Sequence, residues 1–443
     1  MDPAARSSVW ADRDFRAYWA AHTVSQTGTA ITAVAVPLVA LLQLQATALQ
    51  VGLLRAAEFM PYLLFTLPAG ELVDRRRRRP LMIGCDLVRA VALAVVPFAA
   101  VLGFLTLPLL FVVVVTVGFA SVLFDVAAVT VLPSLVGRHA LLQANAALET
   151  SGSVAIVAGP GLGGALVGII KASGAVAVDA LSYLLSAAFL LRVGAPESAP
   201  TSSPYGGVRT LAVGLRQVRR SPVLRPLVLY LSATNLIFGA FEAVFVVFEV
   251  RGLGLDGPQV GAVVAIGNLG AVIGALTSRR LANRVGLGPT LVLGAVGSAA
   301  GSVLVTCAPR SAPLPWLVAG QFVLALTVLW FNIQSLSLRQ AVTPDAVRGR
   351  VNAAVRMLGF GAIPLGAAVG GVIAGAIGLR ETLAVFTALS AVATVQLGLS
   401  SLRRLRTAPD EEPVWEAAGY GVTPVDRCGS PTGLDSDEPR SRR

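Results

Sequence analysis

The sequence predicts an all-α membrane protein with twelve transmembrane helices arranged as two six-helix halves. Three observations lead to this fold class: long apolar segments without charges, arginines concentrated in alternate connectors, and an internal repeat. Of the 443 residues, 55% are hydrophobic and only 13% are charged. A soluble domain carries about 25% charged residues, so much of the usual charged surface is missing.

The apolar segments are long enough to cross a bilayer. Residues 90–124 and 285–309 contain no charged side chain, and a helix needs about 20 residues to cross a hydrocarbon core of about 30 Å. The runs are continuous rather than alternating, which favours helices over strands. The predicted spans cover residues 16–43, 49–73, 81–102, 107–132, 143–170, 175–192, 225–249, 258–278, 287–308, 314–338, 350–376 and 382–402.

The arginines orient these spans. The net charge is +11, and most basic residues lie in every second connector, whereas the remaining connectors hold only Lys171, Arg251, Arg310 and Arg380. Basic connectors stay on the cytoplasmic side of a membrane. We therefore expect a multi-pass protein of a bacterial plasma membrane with both termini in the cytoplasm, rather than a nucleic-acid-binding protein.

The same pattern divides the chain into four parts. Residues 1–192 form the predicted N-terminal six-helix half, and residues 225–406 form the C-terminal half. Between them, residues 193–224 form a cytoplasmic linker with a basic amphipathic segment, either a helix on the inner leaflet or a regulatory site. Residues 407–443 are polar and are expected to be a disordered cytoplasmic tail.

An internal repeat relates the two halves. The Asn-Ala-Ala triplet at Asn145 recurs at Asn352, an offset of 207 residues, and Gln-Val-Gly at Gln50 recurs at Gln259, an offset of 209. Parallel repeats of this kind are typical of transporters built around a central pathway. Glycines at four-residue spacing permit close helix packing, and the fifth span carries such a motif at Gly159, Pro160, Gly163 and Gly164.

Residues 70–79 resemble the signature of the major facilitator superfamily, with Arg77 in place of the usual second glycine. The fifth-span region, with Gly159-Pro160 and Gly163-Gly164, is similar to a motif of drug–proton antiporters in that superfamily. Further segments, at 132–136, 179–183 and 214–216, resemble the branch that contains the enterobactin exporter and macrolide efflux proteins. The resemblance covers all twelve spans and implies the superfamily's two-half fold.

The resemblance also implies an inner gate formed by Asp74, Arg75, Arg78 and Asp125. In such a gate the aspartate at the end of the second span bonds the start of the eleventh helix, and the basic residue bridges to the acid of the fourth span. At the positions equivalent to Asp74 and Asp125, the second half of the repeat has the amides Asn283 and Asn332. We therefore expect a charge-dependent lock on one half, and Asp74→Asn should shift the protein away from the outward-facing state, as measured by cysteine accessibility from the cytoplasm.

Three ionisable residues inside spans are candidates for proton coupling, because such residues are unfavourable in a membrane and mark function. Arg55 and Glu58 lie three residues apart on one face of the second span, and the repeat has Val264 and Gly267 at these places. Glu149 is the second candidate carboxylate. A buried carboxylate beside an arginine can bind and release a proton as its surroundings change, and a static ion pair is the alternative.

Polar and aromatic residues of both halves are candidates for a substrate cavity. The polar candidates are His22, Gln26 and Thr29 in the first span and Asn235 and Asn268 in the second half. The aromatic candidates are Phe238 and Trp330, which suit a hydrophobic ligand. Hydrogen bonds between helices and ordinary packing are the alternative roles.

The function predicted from these features is a secondary active transporter that exports a drug, siderophore or metabolite by proton antiport with alternating access. The direction of transport comes from the resemblance; a proton-linked nutrient importer and a non-transporting membrane sensor are the alternatives. We expect a proton gradient instead of a cofactor, no metal site, and a monomer that interacts with lipid and a small molecule but not with nucleic acid. An enzyme is not expected, because the glycine-rich segment 159–164 lacks the lysine of a phosphate loop.

Overall fold

The computed structural model describes residues 9–194 and 208–407. These residues form eleven α-helices and, after α1 and α6, two five-residue π-helical segments, Val39–Gln43 and Phe248–Gly252. The helices are α1 Arg13–Leu38, α2 Ala48–Asp74, α3 Arg78–Val101, α4 Leu107–Leu191, α5 Val208–Arg220, α6 Leu224–Val247, α7 Gly257–Val285, α8 Leu287–Thr306, α9 Pro313–Val342, α10 Asp345–Ile377 and α11 Leu379–Leu399.

Helix α4 contains three of the membrane crossings. Its 85 residues would extend about 130 Å if straight, far more than a bilayer, so the chain must reverse within it. One reversal is at Lys171, whose φ is +64° and whose counterpart in the repeat, Gly378, has a φ of +102° and separates α10 from α11. The Arg89 guanidinium lies 4.2 Å from the ring centroids of both Phe124 and Tyr183, so the first and last parts of α4 lie side by side.

The twelve-span prediction is confirmed. Ten described segments are long and apolar enough to span a bilayer, and one of them, Gln143–Leu191, holds two spans because it turns at Lys171. Helix α2, with 27 residues, is the twelfth. Several helices extend beyond the predicted apolar segments, such as α7 to Val285 and α9 to Val342. A helix that leaves the hydrocarbon can continue through arginines, because their long side chains reach the interface.

The repeat is visible in the backbone where α1 and α6 end. The two π-helical segments, Val39–Gln43 and Phe248–Gly252, are related by the offset of 209. The same offset relates two residues with positive φ, Gln45 and Gly254. It also relates two capping boxes, in which an N-cap side chain and the glutamine three residues later each bond the other's backbone N–H: Thr47 with Gln50, and Asp256 with Gln259.

The halves meet along two equivalent helix pairs. Helix α2 packs on α10, where a Cβ atom on Gly52 would lie 2.6 Å from the Ala367 carbonyl oxygen and 2.9 Å from the Gly371 Cα atom. Helix α7 packs on α4, where a Cβ atom on Gly261 would lie 2.7 Å from the Gly164 Cα atom. Both contacts are backbone against backbone, so only glycine fits at these positions.

These glycine contacts define one end of the molecule, which we call the sealed end. There a single cluster of buried side chains draws on both halves, for example Leu38 and Val51 from the first and Phe245 and Val260 from the second. We call the opposite end the basic end. It contains arginines between α2 and α3 and at the ends of α5, α7 and α9: Arg75, Arg76, Arg77, Arg219, Arg220, Arg279, Arg280, Arg284 and Arg339.

At the basic end the described residues form a separate hydrophobic cluster in each half. The first-half cluster includes Phe15 and Val73, and the second-half cluster includes Leu224 and Val347. Among the described residues, a large cluster joins the halves at the sealed end and a small one joins α2, α6 and α10. The clusters at the basic end stay within their own halves, which places the gap between the halves on that side.

Helix α5 belongs to the second half in its packing. Gly214 contacts the Arg350 carbonyl of α10 closely, and Val218 is buried in the second-half cluster with Val347. The amphipathic segment therefore packs on protein along at least one face. Residues 195–207 of the predicted linker and residues 408–443 of the predicted tail lie outside the described residues, and the four-part division of the chain stays a prediction.

Candidate functional site between the halves

An ion-pair cluster lies where α2 of the first half meets α6 of the second. The Arg55 Nη1 atom is 2.8 Å from the Glu58 Oε2 atom on the same helix. The Arg55 Nη2 atom is 3.5 Å from the Glu242 Oε2 atom on α6. One guanidinium group thus links carboxylates from both halves, and we call these three residues the bridging triad.

Small residues bring the two halves close enough for this contact. Ala56, Ala243 and Ala367, from α2, α6 and α10, form a buried cluster, and the first two are the chain neighbours of Arg55 and Glu242. Because alanine side chains let helices approach closely, a single arginine reaches both carboxylates. The triad lies about 5 Å along α2 from the Gly52 contact, given a rise of about 1.5 Å per residue.

The triad is partly open to the gap between the halves. The exposed fractions of the side chains are 17% for Arg55, 37% for Glu58 and 24% for Glu242. With both carboxylates ionised the triad has a net charge of −1, which one proton or one cationic group would neutralise.

Sequence reasoning found Arg55 and Glu58 by their spacing and missed Glu242 as their partner. Residues i and i+3 share a helix face whatever the tertiary structure, but the contact with Glu242 depends on how the halves pack. The available signal was a glutamate within an apolar run, which indicates function without naming a partner.

A second charged cluster lies wholly within the first half. Arg89 bonds Asp86, and the Ser186 hydroxyl donates to the Asp86 Oδ2 atom at 2.7 Å. Asp86 is fully buried and Arg89 is 3% exposed, with its guanidinium between the rings of Phe124 and Tyr183. This cluster joins α3 to two parts of α4 and has no access to the gap, so it positions helices.

The predicted inner-gate residues lie at the basic end. The Asp74 side chain lies outside the part of the chain that the structure describes, while Arg75 is exposed and Arg78 half-buried, each in contact with other groups. Asp125 is exposed and accepts a hydrogen bond from the Tyr62 hydroxyl at 2.9 Å. The gate stays a prediction.

Glu149 is not part of the bridging triad. It is exposed and lies 15 residues before Gly164 along α4, which places it about 22 Å from the sealed-end contact. Glu58 lies only about 9 Å from the corresponding contact at Gly52 by the same measure. The structure therefore places the two predicted proton-coupling carboxylates at different depths.

The polar cavity candidates have different surroundings. His22 and Gln26 are half-buried on α1, and the Thr29 and Tyr183 hydroxyls share a hydrogen bond of 2.9 Å within the first half. Asn268 on α7 donates to the Ile156 carbonyl on α4 at 2.8 Å. The Asn268 bond crosses between the halves, as the bridging triad does.

The remaining cavity candidates belong to the second half. Asn235 is half-buried on α6, where its amide faces Gly359 of α10, and Phe238 is 49% exposed. The Trp330 indole N–H donates to the Thr277 hydroxyl at 2.9 Å, which joins α9 to α7. Asn235 and Phe238 therefore keep surface for a ligand, whereas Trp330 also has a role in packing.

A groove of about 530 Å³ lies between α1 and the fifth span, on the basic-end side. It combines indole rings, hydroxyl groups and an amide. The lining residues are Trp10, Trp19, Thr23, Thr27, Gln143, Ala146, Ala147, Thr150, Ser151 and Val154. Such a surface suits an amphipathic molecule, because apolar walls with a few polar groups are typical of small-molecule sites.

The comparisons with known proteins agree with this architecture. Residues 18–279 and residues 244–431 each match the model of the Major Facilitator Superfamily. The chain belongs to this superfamily. Its halves, the glycine contacts and the gap between them are therefore those of a superfamily transporter, and its function is membrane transport rather than catalysis.

Similar proteins match the branch that the sequence motifs indicate. The multidrug efflux pump Tap of Mycolicibacterium fortuitum is 29% identical over 401 residues, which are 86% of this chain and 94% of that protein. The enterobactin exporter EntS of Salmonella typhimurium is 28% identical over 415 residues, or 89% of this chain and 94% of that protein.

Solved structures share the fold. The nucleoside transporter NupG has a TM-score of 0.68 at 14% identity and covers 87% of this chain and 98% of its own. A bacterial homologue of the iron transporter ferroportin in an inward-facing state has a TM-score of 0.68 at 17% identity, with coverage of 87% and 98%. At these identities the likeness concerns the fold alone.

Proposed function

We propose that the protein exports a small molecule, such as a drug, a siderophore or a related metabolite, by proton antiport with alternating access. The basic end then faces the cytoplasm of a bacterial cell, as basic connectors do in general. The export direction is supported by the similarity to proteins named as an efflux pump and an exporter. The transporter would act as a monomer in the lipid bilayer.

The bridging triad is the observation that carries this proposal. Arg55 holds carboxylates of both halves, so a proton that neutralises one carboxylate weakens a contact between the halves. Buried groups that change charge at such a junction can bias the choice between two global states. Proton binding and the opening of one end are thereby linked through one guanidinium group.

In the proposed cycle the present state has its sealed end closed and its gap open to the cytoplasm. A substrate with a cationic or hydrogen-bonding group enters the gap and competes with a proton for the negative triad. The other state opens the sealed end, releases the substrate outside and takes up protons there. The inward proton gradient then drives the return.

Everted membrane vesicles that contain the full chain test this proposal. With a panel of labelled compounds, a proton gradient should drive accumulation, and Glu58→Gln or Glu242→Gln should abolish the gradient-driven part. The matched control is Glu381→Gln, an exposed carboxylate on α11, which should transport normally. Accumulation only in right-side-out vesicles would establish import. Uptake that does not depend on the proton gradient would refute proton antiport.

A further inference from the structure

We propose that Glu249 is a proton-binding site at the sealed end, and that this end closes only when Glu249 has taken up a proton from the side to which it opens. This inference deepens the proposed function and rests on it for the direction of proton movement. It adds a third carboxyl group to the two of the bridging triad, and this third group controls closure.

Glu249 is fully buried in the π-helical segment Phe248–Gly252. Both of its carboxyl oxygens are buried without a hydrogen-bond partner among the described residues. The segment lies in the cluster at the sealed end that includes Phe248 and Leu255. A charged carboxylate without hydrogen bonds in apolar surroundings is strongly unfavourable, so the closed state requires the neutral, protonated form.

The charged groups around Glu249 supply no compensating partner. On α6 the titratable group on the same helix face is Glu242, two turns earlier, and a second carboxylate cannot act as a counter-ion for Glu249. On α11, Arg380 lies over the Phe248 ring at 5.5 Å and bonds the Ala308 carbonyl, while Glu381 is exposed.

The other charged residues near Glu249 bond other groups or are exposed. Asp256, at the start of α7, accepts the Gln259 backbone N–H at 2.9 Å. Arg310 donates to the Gly252 carbonyl at 3.1 Å, and Arg251 is exposed. The surroundings of Glu249 therefore favour a bound proton rather than an ion pair.

The repeat shows that the fold itself does not require a glutamate here. The counterpart of Glu249 is Ala40, which is also fully buried in a π-helical segment. The backbone bonds are the same in the two halves: Ala46 N–H to the Ala40 carbonyl at 2.8 Å, and Leu255 N–H to the Glu249 carbonyl at 2.9 Å. In the first half an alanine is sufficient at the position that accepts this backbone hydrogen bond. The carboxyl group in the second half therefore has another role.

The consequence for closure follows from linkage. In the open state Glu249 contacts water and titrates like an ordinary carboxyl group, and in the closed state it holds one proton. Acid on the outer side therefore favours closure, and alkali favours opening. For one proton bound only in the closed state, the ratio of open to closed protein rises by up to about tenfold per pH unit.

Distance measurements between spin labels test this proposal. One label on each half at the sealed end, through Lys171→Cys and Ser311→Cys in a background without native cysteines, reports the opening of that end in lipid nanodiscs. Between about pH 5 and about pH 9, where a solvated carboxyl group has already lost its proton and the closed state still holds one, the long-distance fraction should rise in the otherwise unchanged protein. Glu249→Gln, a permanently neutral mimic, should stay closed with a pH slope near zero.

Two further variants make the outcome decisive. Glu249→Asp should keep the pH dependence, and Glu381→Gln, which alters an exposed carboxyl group on α11 outside the bridging triad, should also keep it. A wild-type pH profile in Glu249→Gln, or a loss of the profile in Glu381→Gln as large as that in Glu249→Gln, would overturn the inference. Vesicle transport is measured separately, so a protein with Glu249-dependent closure but no gradient-driven export would refute the proposed function alone.

Discussion

The two halves of this transporter share the backbone of equivalent turns but carry different charges. The turns after α1 and α6 agree in their π-helical segments, positive-φ residues and capping boxes. In contrast, Arg55 and Glu58 correspond to Val264 and Gly267, and Glu249 corresponds to Ala40. The contacts that hold the halves together are thus symmetric, whereas the ionisable groups are not. The scaffold and the ionisable groups can therefore be tested separately.

The largest effect is expected where a first-half charge pair has uncharged counterparts. The repeat has Ala295 and Ser298 at the places of Asp86 and Arg89. Asp86→Ala leaves a buried arginine without its partner and should lower the free energy of unfolding by about 3–5 kcal/mol. Thermal unfolding of the purified protein in detergent measures this.

The double variant Asp86→Ala with Arg89→Ser copies the second half. It should recover more than half of the lost stability, because no buried charge remains. If the double variant were as unstable as the single one, the pair would be needed for a reason other than charge compensation.

The next effect concerns the bridging triad. Arg55→Gln keeps a polar side chain but leaves Glu58 and Glu242 facing each other without a cation. Gradient-driven export in vesicles should fall about a hundredfold, equivalent to about 2.7 kcal/mol. Glu149→Gln, a carboxylate of the first half outside the triad, is the control and should change export less than threefold, on the order of 0.6 kcal/mol. The reverse ranking would move the coupling site to Glu149.

The glycine contacts should respond alike in both halves. Gly52→Val and Gly261→Val each insert a side chain against facing backbone, which overpacks the contact by about 1–3 kcal/mol and should open the sealed end. The label pair at Lys171 and Ser311 reports the opening. Gly375→Val is the matched control on α10, since a Cβ atom there meets nothing within 4 Å. Opening in only one of the two variants would show that the seal is not symmetric.

The smallest effect is expected for the hydrogen bond between α7 and α4. Asn268→Ala removes the donor to the Ile156 carbonyl and should shift the balance towards opening by about 1 kcal/mol. The same label pair measures it. Asn235→Ala is the control, because this amide faces α10 within its own half, and an equal shift there would show that Asn268 has no special role between the halves.

The fold could be predicted from the sequence almost completely. The length of the apolar segments and the distribution of arginines are set by the bilayer, so together they predict all twelve spans. The internal repeat predicts the two halves. Helix ends were less predictable, because α7 and α9 continue into the polar region. The 85 helical residues of α4 also join what appeared as three separate spans.

The site could be predicted only where it depends on one helix. The Arg55–Glu58 spacing is local, but the approach of Glu242 depends on the alanine contacts between halves. The burial of both Glu249 carboxyl oxygens without a hydrogen-bond partner also depends on tertiary packing, and no local sequence pattern indicates it. The sequence predicts that Trp330 and Thr29 line a cavity, and each side chain also forms a hydrogen bond within its own half.

The close glycine contacts at the sealed end have a consequence for the resting cell. At Gly52 and Gly261 the facing backbones are in direct contact and leave no room even for a methyl group, so these contacts interrupt any file of water molecules between the helices. Protons cross membranes readily along such files of water. An idle copy of this transporter should therefore be electrically silent, and a cell can keep many copies in its membrane without dissipating the gradient across it.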